Sequence, residues 1–218
     1  ALLWTAKVMG DTTAYGAPLL ITHGSRKILI VSGIHHLAGI DAAGGKLLWS
    51  YKYDRSSDIH CNLPFYEGGA IYYNDRGGNG FVKLLLNEEG SAVQEAWRNF
   101  KGGNVQGGFV KLGKWLYGSR YTPKRFESVD AETGLVYDSL KFECGVTIYA
   151  DSMLYVYGEG GKTGLLKPDN GKLSLVSSFQ VSGGTREHFA HPVIAGGRLY
   201  VRHGKILMVY SIRREKGG

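Results

Sequence analysis

Self-similarity at a nearly fixed spacing limits what this chain can fold into more than any other feature. Turns of the form Asp-x-x-x-Gly recur at Asp41–Gly45 and Asp130–Gly134, with weaker copies at Lys167–Gly171 and Asn87–Gly90. Their first residues fall at 41, 87, 130 and 167, spaced 46, 43 and 37. A second column agrees. Apolar pairs that straddle a short turn close on Tyr72, Tyr117, Tyr155 and Tyr200, spaced 45, 38 and 45. Pro18 opens an earlier copy 46 residues before Pro64, and Leu-Leu-Trp recurs 45 residues apart at Trp4 and Trp49.

Each repeat divides into four short alternating runs rich in Val, Ile, Leu and Tyr, with Gly, Asn or Asp between them. In the second repeat the predicted strands are 62–66, 70–75, 80–87 and 92–101. No window has convincing helical periodicity. Gly is 33 of 218 residues, about twice its ordinary share of about 7%, which suits a chain of many turns. Four strands every 38–46 residues is the period of a propeller blade. The expected fold is therefore all-β: a β-propeller of four-stranded antiparallel blades, about five of them, in a single domain over 1–218. The units run about 9–54, 55–102, 103–141, 142–182 and 183–212, and strand 2–8 closes the last blade as its fourth strand. An open arc of a larger propeller has the same phase and is the alternative.

Lys and Arg outnumber Asp and Glu by 26 to 19, a formal net charge of +7. The basic residues are dispersed, and the only dense run is Arg213, Arg214 and Lys216, so nucleic acid is not expected as a partner. No run of 18 apolar residues is present to make a membrane-spanning helix. Cys61 and Cys144 share a register but stand two repeats apart, so two free thiols are expected rather than a bridge.

The segment Asp41-Ala-Ala-Gly-Gly-Lys-Leu-Leu-Trp49 resembles the repeat of pyrroloquinoline-quinone-type propellers. Asp130-Ala-Glu-Thr-Gly134 is a second copy with Tyr137 in place of Trp; Trp97 follows Gly90 late, and Leu175 stands at the Trp position of the fourth copy. The ending Phe189-Ala-His-Pro192 through Tyr200 is similar to the last blade of quinoprotein-like bacterial proteins. The resemblance implies an exported, periplasmic or cell-surface protein. Such propellers usually have eight blades, so it also implies the C-terminal part of a larger one, lacking about three. Quinone-dependent members hold their cofactor against a tryptophan and an adjacent-cysteine disulfide, with an Asp base beside calcium. This chain has no adjacent Cys pair, so neither pyrroloquinoline quinone nor Ca²⁺ is expected. The physical role of the motif is packing: Trp4, Trp49 and Trp97 are expected as apolar wedges between neighbouring sheets.

In a propeller, the loops before the first strands gather at one face. Aligned on Pro18, Pro64, Phe109, Thr147 and Pro192, the repeats place Ala14, His60, Val105, Glu143 and His188 at one equivalent position. His60, Glu143 and His188 would make a facial ligand set for a divalent metal. The plainer expectation is that they hydrogen-bond turn backbones. Tyr15, Asp58, Gln106, Arg186 and Glu187 flank them as channel-face binding candidates. Gly158–Thr163 imitates a phosphate loop but sits between strands, without the spacing or the helix such a loop needs. The expected function is a non-catalytic scaffold whose loops bind a protein or polysaccharide, with Arg120-Tyr121 and Arg125-Phe126 as anchors. The alternative is a quinoprotein-like oxidoreductase or cofactor-binding fragment with its site at the channel face.

Overall fold

The computed structural model describes residues 1–12, 14–53, 60–75, 80–101 and 107–213. It contains no helix among them, and hence none long and apolar enough to cross a membrane. The strands form five antiparallel meanders, each in sequence order. The first holds β1 (Leu19–His23), β2 (Arg26–Ser32), β3 (His36–Asp41) and β4 (Leu47–Lys52). The second holds β5 (Phe65–Glu67), β6 (Ala70–Asp75), β7 (Gly80–Leu86) and β8 (Val93–Asn99). The third holds β9 (Phe109–Leu112), β10 (Trp115–Arg120), β11 (Arg125–Asp130) and β12 (Val136–Leu140). The fourth holds β13 (Gly145–Ala150), β14 (Met153–Gly158), β15 (Lys162–Asp169) and β16 (Lys172–Gln180). The fifth has three strands, β17 (Val193–Ala195), β18 (Arg198–His203) and β19 (Ile206–Ser211).

The chain divides into two compact units, 1–106 with 131–135, and 107–130 with 136–218. In the first, Ile28, Ile30, Leu37, Trp49, Ile71, Tyr73 and Leu84 form a core from the facing residues of the first two sheets. In the second, Trp115, Tyr117, Phe126, Leu154, Val156 and Leu166 form a core from the third and fourth sheets. Tyr155, Tyr157, Leu199 and Val201 do the same for the fourth and fifth. β6 is the most deeply buried strand because both its faces are covered: all six of its residues are buried.

Trp97 shows what the motif's wedge does. Its indole N–H donates to Ala131 O at 3.0 Å, and its ring covers Gly134 so closely that a Cβ there would come within 2.5 Å. Gly134 also has φ of 73°, so the position excludes other residues on two counts. Trp4 makes the same pair of contacts, with Ala42 O at 3.2 Å and with Gly45. Here the structure corrects an expectation. Residues 1–8 form no strand and add no fourth strand to the fifth sheet. Trp4 holds the segment by side-chain docking, without backbone pairing.

A second correction concerns the Trp column. Every four-stranded sheet has a β-bulge between its third and fourth strands, at Gly39/Ile40, Lys83/Leu84, Ser128/Val129 and Leu165/Leu166. The residues paired immediately before these bulges are Trp49, Trp97, Asp138 and Ser177. By register, the tryptophan position of the third and fourth sheets is therefore held by Asp138 and Ser177, although Tyr137, beside Trp115, covers Gly171 as Trp97 covers Gly134. One extra residue in a bulge moves the next side chain to the other face. Phe126 is also corrected: it alternates inward on β11, is fully buried, and is no surface anchor.

Candidate functional site

Polar residues collect at one end of each sheet, where the chain enters the first strand and the second strand finishes. In the second sheet this end is dry. His60 is fully buried, its Nδ1 3.3 Å from Asp75 Oδ2 and 3.2 Å from the Tyr73 hydroxyl. Its Nε2 faces Ile34 O at 3.3 Å, and the Tyr53 ring stacks on it at 4.4 Å. Burial, with the nearby Asp75 charge, holds the Tyr73 hydroxyl well above its usual range. The same two causes raise the Cys61 thiol, the opposite of what a nucleophilic cysteine needs. Beside His60, Asn62 donates to both Asn74 O and Asn74 Oδ1.

In the third sheet, Arg120 donates to Glu127 Oε1 at 2.9 Å. Burial still raises the Glu127 carboxyl, against the opposing pull of Arg120. In the fourth sheet, Glu143 Oε2 accepts from the backbone N–H of Gly160 at 2.9 Å and of Lys162 at 3.4 Å. The loop that imitates a phosphate cradle thus already encloses a carboxylate from its own unit.

The fifth sheet brings His188 and His203 face to face, ring centroids 3.6 Å apart. His203 Nδ1 lies 2.6 Å from Gly183 O and Nε2 lies 2.5 Å from Arg186 O. Carbonyl oxygens only accept, so both contacts are hydrogen bonds only when both ring nitrogens carry hydrogen. They tie down the 183–186 turn, where Arg186 has a φ of 76°. His188 Nδ1 lies 2.5 Å from the Tyr157 hydroxyl. Burial, with Tyr210 adding to it, pushes that hydroxyl up to about 12, so it stays protonated and donates. Burial and the charge of His203 lower the His188 pKa, and Glu143 opposes them weakly.

A pH dependence follows. The folded protein takes up the His188 proton at lower pH than the unfolded chain does, so stability is retained above the ordinary histidine value and lost as pH falls below it. Urea midpoints measured at pH 7.5 and 5.5 should fall on acidification, and His188→Gln should remove part of the fall. An equal fall in the variant would refute this assignment.

The sequence-predicted residues thus fall into place one by one. His60, Glu143 and His188 each occupy the expected place ahead of a first strand, and each is engaged within its own unit. Arg186 and Glu187 are exposed, as is Tyr15 at 76%. Asp58 and Gln106 lie outside the described residues. Cys61 and Cys144 are both free. Among the described residues no group of three or more His, Cys, Asp or Glu side chains is placed to hold a metal ion. The two cysteines are not adjacent in the sequence, so no adjacent-cysteine disulfide of the quinone-holding kind can form between them.

Asp75, Tyr157 and His203 lie outside the set of residues that the repeat nominates. A usable signal existed for two of them. Asp75, Arg120, Gly158 and His203 each stand three residues after the recurring tyrosines, so a polar column was present in the repeat itself.

No protein-family model matches this chain, and no curated protein matches it. Its fold is nonetheless that of solved structures. BamB from Moraxella catarrhalis superposes with a TM-score of 0.67 at 13% identity, over 96% of this chain and 61% of that one. A candidate 6-phosphogluconolactonase from Bacteroides uniformis superposes with a TM-score of 0.65 at 15% identity, over 93% of this chain and 68% of that one. Another, from Bacteroides fragilis, gives 0.64 at 14% identity over 88% and 65%. This chain thus spans less than two thirds of the BamB structure. At these identities the likeness carries the fold alone, and the fold is a β-propeller of about five sheets.

Proposed function

We propose that this chain is a non-catalytic propeller scaffold that docks a protein partner on the outer strands of its second unit. One observation carries the reading: apolar side chains stand exposed along β16 and β19. Leu175, Val176 and Phe179 are 45%, 55% and 39% exposed, and Ile206, Leu207 and Val209 are 44%, 63% and 49% exposed. Leu207 and Val209 share one face of β19, whereas Tyr210, on its other face, meets the Phe179 ring at 4.7 Å. Exposed apolar rows of this kind mark interaction surfaces more often than they are incidental. Both strands are also outermost in their sheets, so among the described residues each has one edge with no neighbouring strand, met on β16 at Leu173 N by Asp138 Oδ2. An extended segment of a partner can satisfy such an edge, with main-chain bonds for affinity and side-chain rows for selectivity. The net charge of +7 favours an acidic partner segment on encounter.

Photo-crosslinking groups at Val176 and Val209 in the native cell test the reading. Discrete adducts should form from both positions and disappear with Leu207→Asp. Leu20, 55% exposed on the first sheet, is the control. Adducts equal to that control, or none, would overturn the proposal.

A further inference from the structure

The bulge register shows a place where this chain leaves out an indole. In the second sheet, Tyr72, Lys83 and Trp97 form one cross-strand row, with the Trp97 ring 6.3 Å from that of Tyr72. The same row in the fourth sheet is Tyr155, Leu165 and Ser177. In the third sheet the vacated position is refilled by polar bonds: Asp138 Oδ2 accepts from Leu173 N at 2.8 Å, and Ser128 donates to Gly171 O. In the fourth sheet nothing refills it. A cavity of about 330 Å³ lies there, lined by Thr163, Leu165, Ser177 and Phe179 on one side and Tyr210 and Ile212 on the other. All these residues belong to the second unit.

That volume falls at the lower end of ligand pockets, which run about 300–1,000 Å³. The walls are aromatic and aliphatic with a few hydroxyls, the usual lining of a site for a small apolar ring. One of those hydroxyls is unpaired. Thr163 is 4% exposed, and its Oγ1 is shielded from solvent without a hydrogen-bond partner. A buried hydroxyl without a partner is a standing cost that a ligand donor can relieve.

We propose that this cavity binds a planar aromatic heterocycle of indole size, with its ring N–H donated to Thr163 Oγ1 after rotation of the Thr163 side chain brings that oxygen to the wall. The chain itself supplies the complementarity argument, since it places indoles at the matching position of two other sheets. Phe179 and Tyr210 border the ring, and Ser177 leaves the room that Trp97 takes up in the second sheet. The ring can come from a free small molecule or from a tryptophan side chain. Indole binding needs no protein partner, so its failure would leave the docking surface of β16 and β19 untouched.

Calorimetric titration of the whole chain with indole, 1-methylindole and N-acetyl-L-tryptophanamide tests the site. Indole should bind saturably at one site. 1-Methylindole, lacking the donor, should bind about three- to tenfold more weakly. Ser177→Trp should abolish binding and raise the melting temperature, whereas Leu175→Trp, on the exposed side of the bulge, should leave binding unchanged. Thr163→Val keeps the volume and should erase the difference between indole and 1-methylindole, which keeps the test decisive should Ser177→Trp fail to fold. Binding of the blocked tryptophan as well as indole would identify a side chain as the source; binding of indole alone would identify a free molecule. Absence of saturable binding by both, or full binding by a folded Ser177→Trp, would overturn the proposal.

Discussion

Replacing Trp49 with Ala is expected to remove about 3–5 kcal/mol of stability, as burial of a large aromatic in a packed core implies. Trp49 is 5% exposed and packs with Ile28, Ile30, Leu37, Ile71, Tyr73 and Leu84 between the first two sheets. Its ring lies flat over Gly39, where any Cβ would collide with it. Domains of ordinary size have about 5–15 kcal/mol in total, so this loss leaves the first unit marginal. The indole N–H of Trp49 has no hydrogen-bond partner. Trp49→Phe should therefore cost much less, since it loses volume but no bond. At Trp97 the order differs: Trp97→Phe also leaves Ala131 O without its donor and should cost about 1 kcal/mol more than the volume change. Urea midpoints followed by far-ultraviolet circular dichroism measure all three. A loss under about 1 kcal/mol for Trp49→Ala would sink the view that the motif tryptophan is a packing wedge.

His60→Ala should be comparably severe, about 2–5 kcal/mol, because it empties a fully buried site and breaks the hydrogen bonds made there. The His60 and Asp75 side chains are 0% and 1% exposed. Without the imidazole, Asp75 and the Tyr73 hydroxyl each lose a contact, and the Tyr53 ring loses the face it stacks on. Adding Asp75→Ala to His60→Ala should then cost less than the sum of the two single changes, since each single change already breaks the contact the two side chains share. Strict additivity in that cycle would show that the two residues do not act together. An unchanged melting curve for His60→Ala would show that His60 is free for a different role, such as the metal ligation its place in the repeat suggested.

Much of the architecture was open to local reasoning. Alternating apolar residues over four to eight positions and Asp or Gly at the turns define strands without reference to distant residues. The second repeat shows this: strand 70–75 is found where it was expected, and the other three agree to within a few residues. The tyrosine ladder at 72, 117, 155 and 200 lies in β6, β10, β14 and β18, one per sheet. The candidate site was less legible. The repeat placed His60, Glu143 and His188 ahead of their first strands, but it could not show that Glu143 fills a turn of its own unit while His188 stacks on His203. Those contacts join residues 15 to 19 positions apart through loops with no period to follow.

The amino-acid pattern by itself determined the repeat, the count of sheets and their strand order, because turn chemistry and side-chain alternation act over a few residues. Tertiary structure alone decided which residue occupies the tryptophan column in each sheet, that Trp4 docks without pairing, and that Ser177 leaves a cavity. A β-bulge adds one residue to one strand and reverses which face the next side chain meets. Nothing in the spacing of Tyr137 or Leu175 from the preceding glycine marks where that reversal falls; it is set by hydrogen-bond register between strands, which exists only once the sheet has formed.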